Sequence, residues 1–331
     1  MSTPQSILDA KPRWNLARMF FAARLGGRVR KVPLDAGFSC PNRDGTFSRA
    51  GCSFCNADGS GTGRHGLGQT LAQQWAALAP RALACEPRAR LLAYLQAYSN
   101  THASPSHLRA VLAETAALPG VAGLCLGTRP DCLDVGAGEA RLDVLAAVLR
   151  LGLPFVQLDL GLQSADDAVL RRAGRGHDAF CFATAARAAA ARGIFVCAHL
   201  MHGLPGAGAD DLARSVEFLN TLPIAAVKFH NVLVCRGTGL ARLREAGNYA
   251  PPERDAYISA LVDALSRLRA DICVQRLFAD PAPGELLAPA WAADKASALD
   301  AFRREMLRLD RWQGCAADSP LGVPDFSAQY K

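Results

Sequence analysis

Three cysteines stand in the stretch CPNRDGTFSRAGCSFC: Cys40, then Cys52 eleven residues on, then Cys55 after two more. Asn42, Asp44, Gly45 and Gly51 make the intervening chain turn-forming, so it can wrap around an object. Thiolates at this density read as a metal site. A structural zinc ion would want four protein ligands, and His65 is the best available fourth. An iron–sulfur cluster is normally held by four cysteines. Three would leave one iron open to a ligand from outside the protein. Both readings stay open on spacing alone, with the cluster favoured because no fourth Cys lies at suitable spacing.

Seven of the other eight cysteines read differently. Cys125, Cys197 and Cys273 sit in apolar, strand-like runs and read as small buried hydrophobes. Cys85, Cys181, Cys235 and Cys315 show no ligand spacing. An odd count in a chain of 331 residues argues against a disulfide framework. No apolar run approaches the roughly 20 residues that span a bilayer. No signal peptide opens the chain, so the expected compartment is the cytoplasm, away from any membrane.

Strand-like runs near 30–34, 91–95, 121–126, 155–160, 194–200 and 225–234 alternate with helical patterns near 69–84, 105–117, 139–151, 178–192 and 209–221. This order predicts parallel βαβ units with right-handed crossovers. Six units fit an α/β fold of the partial (βα)6 TIM-type barrel kind, although a doubly wound sheet fits the count nearly as well. Further helices near 252–268 and 295–310 follow Pro251-Pro252. The expected division is a basic segment at 1–29, a core at 30–245 and a helical appendage at 246–331 packing on it. In either architecture ligands collect at the C-terminal ends of the strands.

The ordered set of motifs is more specific. KVPLDAGFSCPNRDG followed by GCSFC resembles the radical S-adenosylmethionine (SAM) superfamily, in the branch near the Elongator catalytic subunit, and within it the YhcC-like family. YLQAYSNT, GTRPDC, LGLQSADD, GRGH, HGLPG, VKFH and WAADK extend the resemblance from about residue 14 to 313. It implies a [4Fe–4S] cluster on Cys40, Cys52 and Cys55. SAM would chelate the open iron and be cleaved reductively to a 5′-deoxyadenosyl radical that abstracts hydrogen from a substrate. A flavodoxin or ferredoxin would supply the electron.

The resemblance also implies roles. Phe54 would lie near the adenine, Gln163 would bond the ribose and Arg175 the methionine carboxylate. Gly203, Leu204 and Pro205 would bring backbone against the adenine. Ser99, Asn100 and Thr128 would stand on the same rim, where Asn100, Lys228 and His230 are the catalytic candidates. Bland readings compete: Arg175 as an exposed helix-end arginine, Gly203–Pro205 as a simple turn, Asn100, Lys228 and His230 as structural hydrogen-bonding residues, His199 and His202 as packing or turn residues. His102 and Asp294 replace an expected Tyr and Asn, which would alter the substrate pocket.

The branch implies tRNA, at wobble uridine, as substrate. The formal charge of +7 is matched by seven basic residues between Lys11 and Lys31 with no acid among them. Trp14, Phe20 and Phe21 interleave with these, as in a nucleic-acid surface. The alternatives are an amphipathic helix with its arginines in solvent and a transit peptide. A small molecule or peptide substrate, or a non-catalytic zinc-bound nucleic-acid module, are the rival functions.

Overall fold

The computed structural model describes residues 12–56, 59, 63–133 and 140–317. Seven parallel strands form one sheet in the order β1 (Val29–Leu34), β2 (Arg90–Leu95), β3 (Val121–Thr128), β4 (Val156–Gln163), β5 (Phe195–His202), β6 (Ala226–Asn231) and a further strand at Cys273–Arg276. Between them run α1 (Ala17–Leu25) ahead of β1, then α2 (Leu71–Cys85), α3 (Pro105–Ala116), α4 (Arg141–Arg150), α5 (Asp167–Arg172), α6 (Ala179–Ala190) and α7 (Asp211–Asn220). Strand order follows chain order, as helical crossovers of one hand produce. The result is the expected partial barrel.

Two departures concern the tail, expected to be helical. The predicted strand at 225–234 divides: β6 ends at Asn231, and β7 (Val234–Cys235) turns away from the barrel. After α8 (Gly239–Glu245) and α9 (Arg254–Arg267), β8 (Cys273–Arg276) joins β6 in the main sheet. β9 (Leu286–Ala288) then pairs antiparallel with β7, and α10 (Lys295–Arg308) follows. Strands of two to four residues are too short to show a period.

β4 explains how the interior is built. Its sequence VQLDLGLQ is buried on both faces. Val156, Leu158, Leu160 and Leu162 pack into the main apolar core. Gln157, Asp159, Gly161 and Gln163, two apart, occupy the opposite, inward face.

The barrel interior is layered along the strands. At the N-terminal end Phe20 and Phe21 of α1 cluster with Leu92, Cys125, Phe155, Cys197, Ala226 and Cys273. The three strand cysteines are thus the small apolar residues expected of them. α1 closes this end with its aromatics inward and Arg18 and Arg24 exposed. Ahead of it, Leu16 bridges to Val274 of β8, so the segment spans the open side between the first and last strands. From Phe20 onward the basic segment therefore lies at the end of the barrel opposite the cysteine loop, which leaves the C-terminal end of β1, while Arg13 and Arg18 flank β8 on the open side. The amphipathic-helix reading holds for it, and nearness in sequence to the loop is not nearness in space. Lys11 lies outside the described residues. No helix among those described is long and apolar enough to cross a membrane.

Candidate metal and cofactor site

The strands deliver their C-terminal ends to a cavity of about 490 Å³. Cys40, Cys52, Phe54, Cys55, Ser99, Thr128, Gln163, Arg175 and His230 all line it. The loop carrying the cysteines is tightly wound. Backbone N–H groups of Arg43 and Asp44 donate to Cys40 O (2.7 and 3.0 Å), and that of Cys55 to Cys52 O (3.0 Å). Asp44 anchors the loop: it accepts from Ser39 and Thr46 (both 2.7 Å) and pairs with His102 Nε2 at 2.7 Å. His102 is therefore a strut of the loop and no part of the pocket. Asp294, the other substituted position, caps α10 by accepting from Ser297 N (3.0 Å).

Cys52 is buried in a polar collar. Asn42 Nδ2 donates to its Sγ (3.3 Å) and to Gly174 O (2.6 Å). Arg175 Nη1 donates to the same sulfur at 3.5 Å. Burial alone would push this thiol up, but Arg175, Asn42 and Arg129 outweigh it and hold it below the ordinary thiol range. Cys55 goes the other way, raised by burial and the neighbouring Cys52, with Arg43 opposing. Arg175 is far from an idle helix-end residue. Its Nη2 donates to Gly161 O (2.9 Å) and its Nε to His177 Nε2 (3.2 Å). Burial, Arg175 and Arg129 lower His177 to about 2, so its ring is neutral and can accept. A Cβ on Gly161 would stand 2.8 Å from Gln163 Nε2 and 3.1 Å from Arg175 Nη2, so the glycine makes room for both side chains.

Asn42 enters the sequence reading only as a turn former, and Arg43, Arg129 and His177 have no role in it. Arg129 sits in GTRPDC, and its pairing with Asp131 (2.9 and 2.7 Å) is visible only in the fold.

The donor set discriminates between metals. A single tetrahedral zinc with Zn–S bonds of about 2.3 Å draws its sulfurs to within about 4 Å of each other. The Sγ atoms of Cys40, Cys52 and Cys55 are not all within 4.8 Å of one another. His65 does not join them; its ring packs against Gly37 instead. Two buried polar atoms of the lining, Gln163 Oε1 and Arg129 Nη1, lack a partner. Spread thiols, an acidified sulfur and unsatisfied hydrogen-bonding groups fit a cluster of several metal atoms with a polar ligand beside it.

Other expected residues fall elsewhere. Asn100 is fully buried, and its Nδ2 donates to Leu95, Ala97 and Gly127 carbonyls (3.2, 2.9 and 2.9 Å), so it splices β2 to β3. Lys228 sits one layer below the cavity, paired with buried Asp159. Gly203, Leu204 and Pro205 are not among the lining residues. Gly203 has φ +93°, and a Cβ there would meet Pro252 Cδ at 2.5 Å. Leu204 is buried in an apolar cluster with Val169 and Val232. The turn reading suits all three, because the chain must bend sharply where Pro252 crosses it.

Deeper in the barrel Asp159 gathers Lys228, Gln157 Nε2 (2.6 Å), Lys31 (3.9 Å) and His199 (3.5 Å). Asp159, Cys197 and His199 are close enough to hold an ion. The carboxylate is already engaged by Lys228, so the group is an ion-pair core.

Known proteins agree with this geometry. A family model described as "Radical SAM superfamily" matches residues 45–219, and one described as "Radical_SAM C-terminal domain" matches 224–308. The chain is 34% identical to Protein YhcC of Escherichia coli (strain K12) over 307 residues, 91% of this chain and 94% of that one. It is 32% identical to Elongator complex protein 3 of Danio rerio over 152 residues, 45% of this chain and 25% of that one. Its fold resembles the solved archaeal Methanocaldococcus infernus Elp3, with a TM-score of 0.62, 17% identity, and 86% of this chain and 64% of that one covered. With a family model matched over more than half its length and a relative alike over nearly all of it, the chain belongs to the radical SAM superfamily of enzymes.

Proposed function

We propose that this enzyme modifies tRNA, at the wobble uridine, with the RNA backbone lying along a basic groove beside the barrel. The observation that carries the reading is the groove itself. It encloses about 650 Å³ between the N-terminal segment, β8 and α10, and its lining includes Arg13, Arg18, Arg276, Lys295 and Arg303 with no Asp or Glu. Arg276 also lines the cysteine cavity, so the two sites meet. Arg13 pairs with Asp310 (2.9 Å), Arg303 with Asp300 (3.3 Å), and Lys295 and Arg276 share Asp280 (2.7 and 3.9 Å), all outside the lining, so five cations meet three carboxylates and an excess of positive charge remains. Similarity to Elongator complex protein 3 supports the same substrate class. The setting is the cytoplasm, and a flavodoxin or ferredoxin is the proposed reductant.

The superfamily's cofactors are a [4Fe–4S] cluster and SAM, which when bound and reduced supply a 5′-deoxyadenosyl radical. Cys40, Cys52 and Cys55 hold the cluster in this reading. Arg175 and Gln163 offer a guanidinium and an unpartnered carbonyl to SAM, and Phe54, Ser99 and Thr128 complete the wall. Their function is to bind, orient and exclude water; the difficult chemistry belongs to the cofactor. Arg175→Ala should weaken SAM binding by roughly 10- to 150-fold, the value of a charge-assisted hydrogen bond, while iron content stays at the wild-type level. Equilibrium dialysis with labelled SAM reads this directly, and an unchanged affinity would remove Arg175 from the role.

Two experiments address the substrate. Nucleoside profiling of tRNA from a strain lacking the gene should show one modified uridine missing or arrested at a precursor. In vitro, tRNA affinity should fall with salt at a log–log slope of roughly −0.7 to −0.9 per phosphate contact. Arg18→Gln with Arg303→Gln should flatten that slope by about 1.5; Arg24→Gln with Arg30→Gln, at the closed end of the barrel, should not. Absence of salt-dependent tRNA binding at low ionic strength would hand the lead to a small-molecule or peptide substrate.

A further inference from the structure

Among the described residues five buried polar atoms of the cavity lining lack a hydrogen bond: Gln163 Oε1 and Arg129 Nη1 stand with the cysteines, His199 Nε2 lies 3.5 Å from the Asp159 carboxylate, and His230 Nε2 and Asn231 Nδ2 end β6. A buried donor or acceptor without a partner costs stability, so a second unsatisfied pair in the same cavity marks a second ligand. Asn231 is 3% exposed, and its orientation is fixed: Oδ1 accepts from Ala279 N at 2.9 Å. The amide cannot flip without losing that bond, so the group left unpartnered on this cavity-lining residue is an N–H donor.

Next to it His230 lies against His199, ring centroids 5.1 Å apart. Burial holds His230 well below the ordinary imidazole range, and His199, Arg276 and Lys228 reinforce this. His199 is lowered to about 4 by burial and Lys228. Both rings are therefore uncharged near neutrality, each with one N–H and one bare nitrogen. Of the two cations that act on His230, Lys228 is spent on Asp159, and Arg276 pairs with Asp280 at 3.9 Å. This wall offers hydrogen bonds without net charge: a fixed donor beside a group that can accept.

We infer that Asn231 and His230 form a base-recognition subsite that reads the carbonyl edge of a uracil-type ring inserted into the cavity; this rests on the tRNA reading above. Asn231 Nδ2 donates to the ring carbonyl O4, and the bare nitrogen of His230 accepts from N3–H. Cytosine presents an amino group in place of O4 and a bare N3, so donor would face donor and acceptor would face acceptor. Single-stranded or splayed-out bases are commonly read through this edge. Arg276, shared with the basic groove, places the phosphates beside the inserted base.

The test uses full-length reconstituted enzyme and two anticodon stem-loop RNAs that differ only in uridine or cytidine at the wobble position. The wild type should prefer the uridine RNA by roughly 5- to 150-fold, the range of one well-made base-edge contact. Asn231→Asp retains an acceptor for Ala279 N–H and turns the donor into an acceptor, so it should abolish or reverse the preference. His230→Leu should lower the preference as well, which keeps the test alive if the aspartate variant does not fold; melting temperature is read for both. Equal wild-type affinity for the two RNAs, or an unaltered preference in folded Asn231→Asp, overturns the subsite and leaves the tRNA reading standing. Binding of neither RNA at low salt overturns both.

Discussion

Replacing Cys40, Cys52 or Cys55 with Ala should leave the anaerobically reconstituted protein without its cluster. The wild type should bind about four iron and four sulfide per chain, with a brown colour lost in air. The effect should be near-total for each residue, because a [4Fe–4S] cluster resting on two thiolates has two unprotected irons. Cys85→Ala is the control: Cys85 is an exposed residue at the end of α2. Stoichiometric zinc without reconstitutable iron in the wild type would sink the cluster reading. Among the three, Cys52 is the one whose thiolate the protein itself favours, through Arg175 and Asn42. Asn42→Ala should therefore slow or weaken reconstitution without abolishing it.

The second large effect lies on the inner wall of the cavity, which Asp159 lines. Asp159→Asn leaves the buried Lys228 and the half-buried Lys31 ammonium groups without their counter-charge, and breaking a buried pair typically costs about 3–5 kcal/mol. Denaturant unfolding of the apo-protein should show a loss of that order, and adding Lys228→Met should recover part of it. The pH dependence follows. Burial would raise the Asp159 carboxyl, but Lys228 and Lys31 outweigh it and hold it well below the usual carboxylate range. A depressed carboxyl contributes stability above its unfolded value of about 3.9 and loses it as pH falls toward the folded value. The gap between wild type and Asp159→Asn should therefore be full at neutral pH and narrow below about pH 4. A gap of under 1 kcal/mol at pH 7 would mean that water compensates for the lost carboxylate.

Much of this was legible beforehand. Six strands, the helices between them and the cysteine loop carry strong local signals: period-2 or period-3.6 patterns and a rare residue at rare spacing. What escaped has a physical reason in each case. β8 is four residues long and gains strand character only by pairing with β6 and Leu16. Asp159 and Asn231 sit in runs that read simply as strand. Yet VQLDLGLQ, with polar residues at every second position of a doubly buried strand, is the pattern of an interior that is not apolar, and it could have been read so. The basic segment misled because sequence adjacency to the cysteine loop says nothing about which end of a six-residue strand a helix caps. For Asn100 the structural hydrogen-bonding alternative holds, and His102 braces the loop, because polar side chains at strand ends are readily spent on joining loops.

The seal between the chain's two ends has a consequence for biosynthesis. Arg13 bonds Asp310, and Asn15 N–H donates to Gln313 Oε1, across separations of 297 and 298 residues. Gln313 N–H in turn donates to Arg13 O. Contacts so distant in sequence are slow to form, and during synthesis they must wait until the final turn of the described chain has left the ribosome. Until then the strap carrying Leu16 has no β8 edge to join, and Phe20 and Phe21 lack Cys273 as part of their socket. The nascent protein thus displays its cysteine loop well before the barrel behind it is shut. A cell that loads iron–sulfur clusters onto finished chains avoids committing metal to a half-built site, and chaperones that shield Phe20 and Phe21 would hold the chain open for the longest interval.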